Sequence, residues 1–263
     1  MKRLLSLNVI FLLCLGIFFV HNTFLQASPT NTSQQEINKL IITGNQNFTL
    51  TAQNELWSGD GSASSPFIIS NITNNLPLDL FIFNTSLYFE IKNYDIHLSD
   101  ELHISFQNVS NGKILGNSFI GKTNDVAIKL DRCSDFEIHD NQFIGETEED
   151  LVNIQSSSNI IFSNNKVENQ LTGISIGASK NITIENNSFK TLDGFNYTYS
   201  NGTIKDNDLG SSGMNIVCFN TPFYGYGTQF ANNSVNSKQI LVWINESNKI
   251  VPQHVGQIIL INT

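Results

Sequence analysis

With 263 residues, a formal net charge of −9, 14% charged and 40% apolar residues, the chain is long enough for one sizeable core. Its acidity repels phosphate backbones and excludes nucleic acid as the natural partner, whereas cations and neutral glycans suit it. The 19 Phe against 2 Trp and 2 Met point to a core of stacked rings.

In chain order, Lys2 and Arg3 precede an apolar run over 4–20, and the small residue Ala27 follows a short polar stretch. This is the order of a secretory signal peptide, and the run is also near the length that an uncleaved N-terminal membrane anchor needs. Residues 1–27 read as one or the other, which places the rest of the chain outside the membrane, extracellular or on the cell surface. Removing Lys2 and Arg3 takes the charge from −9 to −11. Residues 28–80 form an N-terminal segment and the opening coil.

From 81 to 235 one pattern returns about every 20 to 26 residues, the mark of a solenoid, and the β-helix repeats are assigned to 81–263. With the second Asn of the pattern as origin, copies centre on Asn117, Asn141, Asn165, Asn187, Asn207 and Asn233, and Tyr94 holds the place in an earlier coil. Three residues before the origin stand Ile91, Ile114, Ile138, Phe162, Ile184, Ile204 and Phe230; two after it stand Ile96, Phe119, Phe143, Val167, Phe189, Leu209 and Val235. Upstream, Phe81 and Phe83, Ile104 and Phe106, Ile128 and Leu130, Val152 and Ile154, and Ile174 and Ile176 alternate with strand period. A lone coil cannot bury its apolar face. Stacking at about 4.8 Å buries one continuous core and pairs each strand with its equivalents in parallel, giving an all-β parallel β-helix.

The chain carries 36 Asn. Asn tolerates left-handed backbone better than other non-Gly residues, so the Asn-Asn sites read as corners with stacked amides, not as ligands. Cys133 falls in a small-residue column with Ser86, Ser157 and Ser179, and Cys218 sits in another phase of a later coil, too distant for a disulfide.

The repeat G-I-S-I-G-A-S-K-N-I-T-I-E-N-N-S-F at Gly173 to Phe189, the opening W-S-G-D-G-S-A-S-S-P-F-I-I at Trp57 to Ile69 and V-P-Q-H-V-G-Q-I-I-L-I-N at Val251 to Asn262 resemble the right-handed parallel β-helix repeats of the pectate-lyase superfamily. Within it they are most similar to carbohydrate-binding and sugar-hydrolase β-helix domains and to NosD-type proteins of nitrous-oxide reductase maturation. The resemblance implies a single-stranded right-handed parallel β-helix of about seven coils. It spans lyases, hydrolases, epimerases, binding proteins and adhesins, so it leaves the chemistry to the site.

Lyases and hydrolases on this scaffold need carboxylates on adjacent coils, with a basic residue or Ca2+. Asp131 beside Arg132 is one weak catalytic candidate, together with Glu148 and Glu149. The run Glu146, Glu148, Glu149 and Asp150 reads as a solvated turn, with a low-affinity Ca2+ site as its functional alternative; no other cofactor is implied. Glu185 and Asp206 read as outward and unpaired. Copper handling would need repeated His, Met or Cys spacing, and His97, His103, His139 and Met214 show none. Between Asn207 and Asn233 the period breaks, and Phe223, Tyr224 and Tyr226 stand among glycines, the pattern of an aromatic loop that stacks on sugars. Eleven N-x-Ser/Thr sequons are present.

The expected function is an exported cell-surface module that binds a carbohydrate or cell-surface glycan without catalysis. A polysaccharide lyase or hydrolase is the alternative, and a NosD-like periplasmic copper-maturation factor the third reading. No nucleic acid is expected, and membrane contact only through the N-terminal segment. The stretch Gly256 to Thr263 reads as the restart of a coil, with Ile259 and Ile261 left half covered and open to self-association or a partner.

Overall fold

A computed structural model describes residues 38–69, 78–98, 104–147, 149–217 and 227–261, all within one compact unit. The proposed leader lies outside them. Among the described residues no helix is long and apolar enough to cross a membrane.

Each coil passes through three faces. In one of them Ile128–Asp131 lies on the first face, Ser134–His139 on the second and Gln142–Thr147 on the third. Up to residue 231 the strands pair in parallel with their equivalents one coil away, as Phe143 does with Phe119 and Val167, and Val167 in turn with Phe189. The second face is an eight-stranded sheet. The first and third merge into an eleven-stranded sheet because Lys166–Gly177 and Ser188–Thr198 run unbroken round the corner between them. The fold is the parallel β-solenoid that the period predicts.

The corner asparagines divide into two roles. The first of each pair, such as Asn164 and Asn186, adopts positive φ at the bend, where Asn is least penalised among residues with a Cβ. The second is buried and joins a ladder. Asn165 Nδ2 donates to Ile138 O and Asn187 Oδ1, at 2.9 and 3.2 Å, while Asn165 Oδ1 accepts from Asn141 N and Nδ2. The ladder runs without a break from Asn117 through Asn141, Asn165, Asn187 and Asn207 to Asn233. Before it, the Tyr94 hydroxyl takes over the amide's donor role by reaching Ile69 O at 3.0 Å.

Phe119 and Phe143 stack at 4.6 Å between ring centroids, both fully buried. Gly112 occupies an inward position of the second face where the neighbouring coils carry Phe89 and Phe136. A Cβ there would come within 2.3 Å of the Phe136 ring and 2.7 Å of the Phe89 ring. Two flanking rings thus fill the room of three side chains. Gly112→Val is expected to lower stability by about 1–3 kcal/mol through overpacking, read as a lower denaturant midpoint with an unchanged slope.

Two registers differ from expectation in the first coil. Leu80 and Ile82, not Phe81 and Phe83, pair with Ile104 and Phe106 and point inward. The cause is one extra residue: three residues separate Thr85 from Phe89, whereas two separate their partners Val109 and Gly112. A one-residue slip sends every side chain to the opposite face, so Phe81 and Phe83 lie outward, with Lys39 Nζ 4.3 Å from the Phe81 ring centroid. By the same shift Thr85, not Ser86, heads the column that continues to Cys133 and Ser157, where Ser157 Oγ accepts from Cys133 N.

Both ends of the core are covered. The helix Gly44–Asn54 lays Phe48 over Phe67 and Phe89, with ring centroids 5.4 and 5.3 Å away. At the other end Asn236 and Ser237, both at positive φ, turn the chain into Lys238–Ile244, which buries Ile240. Gln257–Ile261 then pairs in parallel with this strand, not with the first face as a restarted coil would. Ile259 and Ile261 are half-buried, Ile259 against the core. The Gln257 side chain reaches the first face: its amide donates to Met214 O and accepts from Met214 N, imitating a strand pairing.

Candidate functional site

Outward positions of the second face, in two columns that repeat with the coils, line an open groove of about 350 Å3. Its corner column is Tyr88, Asn111, Asp135 and Asn159, and its strand column contains Lys113, Glu137 and Ile161. The strand column faces outward because alternate residues point into the core: Phe136 and Ile138 are buried, whereas Glu137 between them is not. Ala63, from the tight turn before the Phe67–Ile69 strand, borders one end. Tyr88 and Ile161 are 36% and 38% exposed, so an aromatic and an aliphatic surface flank a polar middle three coils long.

The charges of the middle are partly spent within the protein. Lys113 Nζ lies 3.1 Å from Glu137 Oε2 across one coil step, an exposed pair of modest strength. Asn181 Nδ2 donates to Asn159 Oδ1, and Asn159 Nδ2 donates to Asp135 Oδ1, each at 2.8 Å. Asn111 donates in the same direction, to Ser86 O of the preceding coil, and so away from Asp135. Lys113, Asp135 and Glu137 together sum to −1 (+1 −1 −1). Such a surface can align hydroxyls along several coils and stack a ring on Tyr88.

The residues singled out in the sequence lie elsewhere. Asp131 ends a first-face strand, 3.0 Å from Arg132 Nη2, and accepts from Gln107 Nε2. Glu146 is 3.9 Å from Lys122, and Asp150 accepts from Asn153 Nδ2; Glu149 is exposed. Glu148, Phe223, Tyr224 and Tyr226 lie outside the described residues, as do His103 and Cys218. Among the described residues no three His, Cys, Asp or Glu side chains converge as metal ligands. Glu185 and Asp206 are not alone as expected, because stacking brings Lys205 to 2.9 Å from Glu185 and Asn232 Nδ2 onto Asp206. His139 lies 2.8 Å from Asp140 and 3.7 Å from Glu137. Burial pushes the Cys133 thiol up to about 11, so it packs as a protonated, unreactive side chain.

A family model described as a right-handed β-helix region matches residues 29–189, more than half of the chain. The chain belongs to the right-handed β-helix family. The match supplies the handedness that parallel crossover connections favour and covers the four coils that build the groove of this β-helix. No curated protein and no solved structure matches the chain.

The groove was missed in the sequence because its members stand 23 or 24 residues apart, at Tyr88, Asn111, Asp135 and Asn159. The signal that could have found it is the outward position just before each second-face strand, read as a column in its own right.

Proposed function

We propose that this β-helix is a non-catalytic carbohydrate-binding module, exported to the cell surface, that holds an extended glycan along its second face. The groove carries the reading: it runs with the solenoid axis, presents Tyr88 for stacking on a sugar ring, and offers amides and carboxylates in step with successive coils. Glycan sites combine an apolar surface with a few placed polar groups, and a rigid stack of strands holds both in position. The pairing of Glu137 with Lys113 supports recognition over proton transfer.

Tyr88→Ala is expected to weaken retention of the best ligand on a glycan array about tenfold, equal to ~1.4 kcal/mol, with the melting temperature nearly unchanged because the side chain lies at the surface, outside the core. Tyr224→Ala with Tyr226→Ala is the comparison. Loss of binding in that double variant, with Tyr88→Ala intact, transfers the site to the aromatic loop. Release of oligosaccharide products by the wild type, stopped by Asp131→Asn, would instead make the protein a lyase or hydrolase.

A further inference from the structure

The charge pattern of the groove narrows the ligand, given the carbohydrate-binding reading on which this inference rests. At two steps of the corner column an amide satisfies the next side chain, Asn181 serving Asn159 and Asn159 serving Asp135. The series stops there. Asn111 directs its amide to Ser86 O, so the second oxygen of Asp135 accepts no hydrogen bond from the described residues. The one lysine of the groove lies against Glu137, which leaves Asp135 as the uncompensated charge.

We propose that the groove takes a cationic amino-sugar polymer of the chitosan type, with a protonated sugar amine against Asp135 and a ring on Tyr88. A carboxylate short of donors at an exposed site asks for a charged N–H donor, which a 2-amino sugar carries and a neutral hexose does not. Uronic-acid polymers would bring like charge to Asp135 and to a chain of net charge −9. The spacing agrees. Tyr88 and Asp135 are two coil steps apart, and a β-1,4-linked chain advances by about one coil rise, about 4.8 Å, per sugar. A chain with a ring on Tyr88 therefore carries its second-next amine to Asp135.

Titration calorimetry of the full chain with a chitosan hexamer, its fully N-acetylated counterpart and a galacturonate hexamer tests this. The deacetylated hexamer is expected to bind about three- to fivefold tighter than the acetylated one, the range of an exposed ion pair, and the galacturonate weakest. The preference should vanish in high salt and in Asp135→Asn. It should persist in Asp95→Asn, which makes the same charge change on the third face. Equal or tighter binding of the acetylated or galacturonate hexamer, an unchanged preference in Asp135→Asn, or equal loss in Asp95→Asn overturns the amino-sugar assignment and leaves carbohydrate binding standing. No measurable binding of any hexamer, together with no ligand on the array, overturns both.

Discussion

Asn165→Asp is expected to cost about 3–5 kcal/mol at neutral pH, although it exchanges a single NH2 for an oxygen. Asn165 is 1% exposed, and its amide donates to Ile138 O and Asn187 Oδ1. The carboxylate would face those two acceptors with no proton to offer, in a site without water to take the charge. Each orphaned buried polar group costs about 1–3 kcal/mol, and more when charged. Asn141 keeps its acceptor, so the damage falls on one side of the ladder step. Chemical denaturation read by circular dichroism checks the magnitude. The sign with pH follows from burial, which raises the folded-state pKa of the new carboxyl above its unfolded value. The deficit therefore shrinks as the pH falls and the acid regains an O–H donor, and it grows as the pH rises. A deficit independent of pH would show that cavity or backbone changes, and not the missing donor, set the cost.

Phe143→Asp is expected to remove the cooperative transition of the middle coils. The ring is fully buried, stacked on Phe119 and registered above Val167. Truncating a buried Phe costs about 3–5 kcal/mol, and an unpaired carboxylate in the same place adds several more. That sum rivals the whole stability of a domain, about 5–15 kcal/mol. The neighbouring residue is the control. Ile144 lies on the same strand, facing outward and only half-buried, so Ile144→Asp should cost less than about 1 kcal/mol. Similar losses for the two variants would contradict the assigned register.

The columns headed by Phe119, Phe143, Val167 and Phe189 were legible in the sequence because a solenoid repeats the same environment at each coil, so position within the repeat predicts burial. The ladder positions were legible for the same reason. The phase of the first coil was not, since the extra residue between Thr85 and Phe89 leaves the alternation of Leu80 to Phe83 apolar on both faces. The helix Gly44–Asn54 gave little signal because it buries only Phe48 and Ala52. Of the groove, neither Tyr88 nor Asp135 stood out, because each owes its role to residues one coil away and a linear reading ranks clusters that are close in sequence. Glu146 to Asp150 drew attention on that account, while Glu146 faces Lys122 one coil away and Asp150 is bound by Asn153 of its own strand.

The polarity of the amide ladder has a bearing on how the chain assembles. Each Asn offers its donor to the coil that follows it in sequence, over steps of 20 to 26 residues. A newly made coil therefore holds an unsatisfied donor until the next one is synthesised, and that next coil arrives carrying the acceptor. The ladder joins each coil only to its neighbours in sequence, so its bonds call for no distant partner.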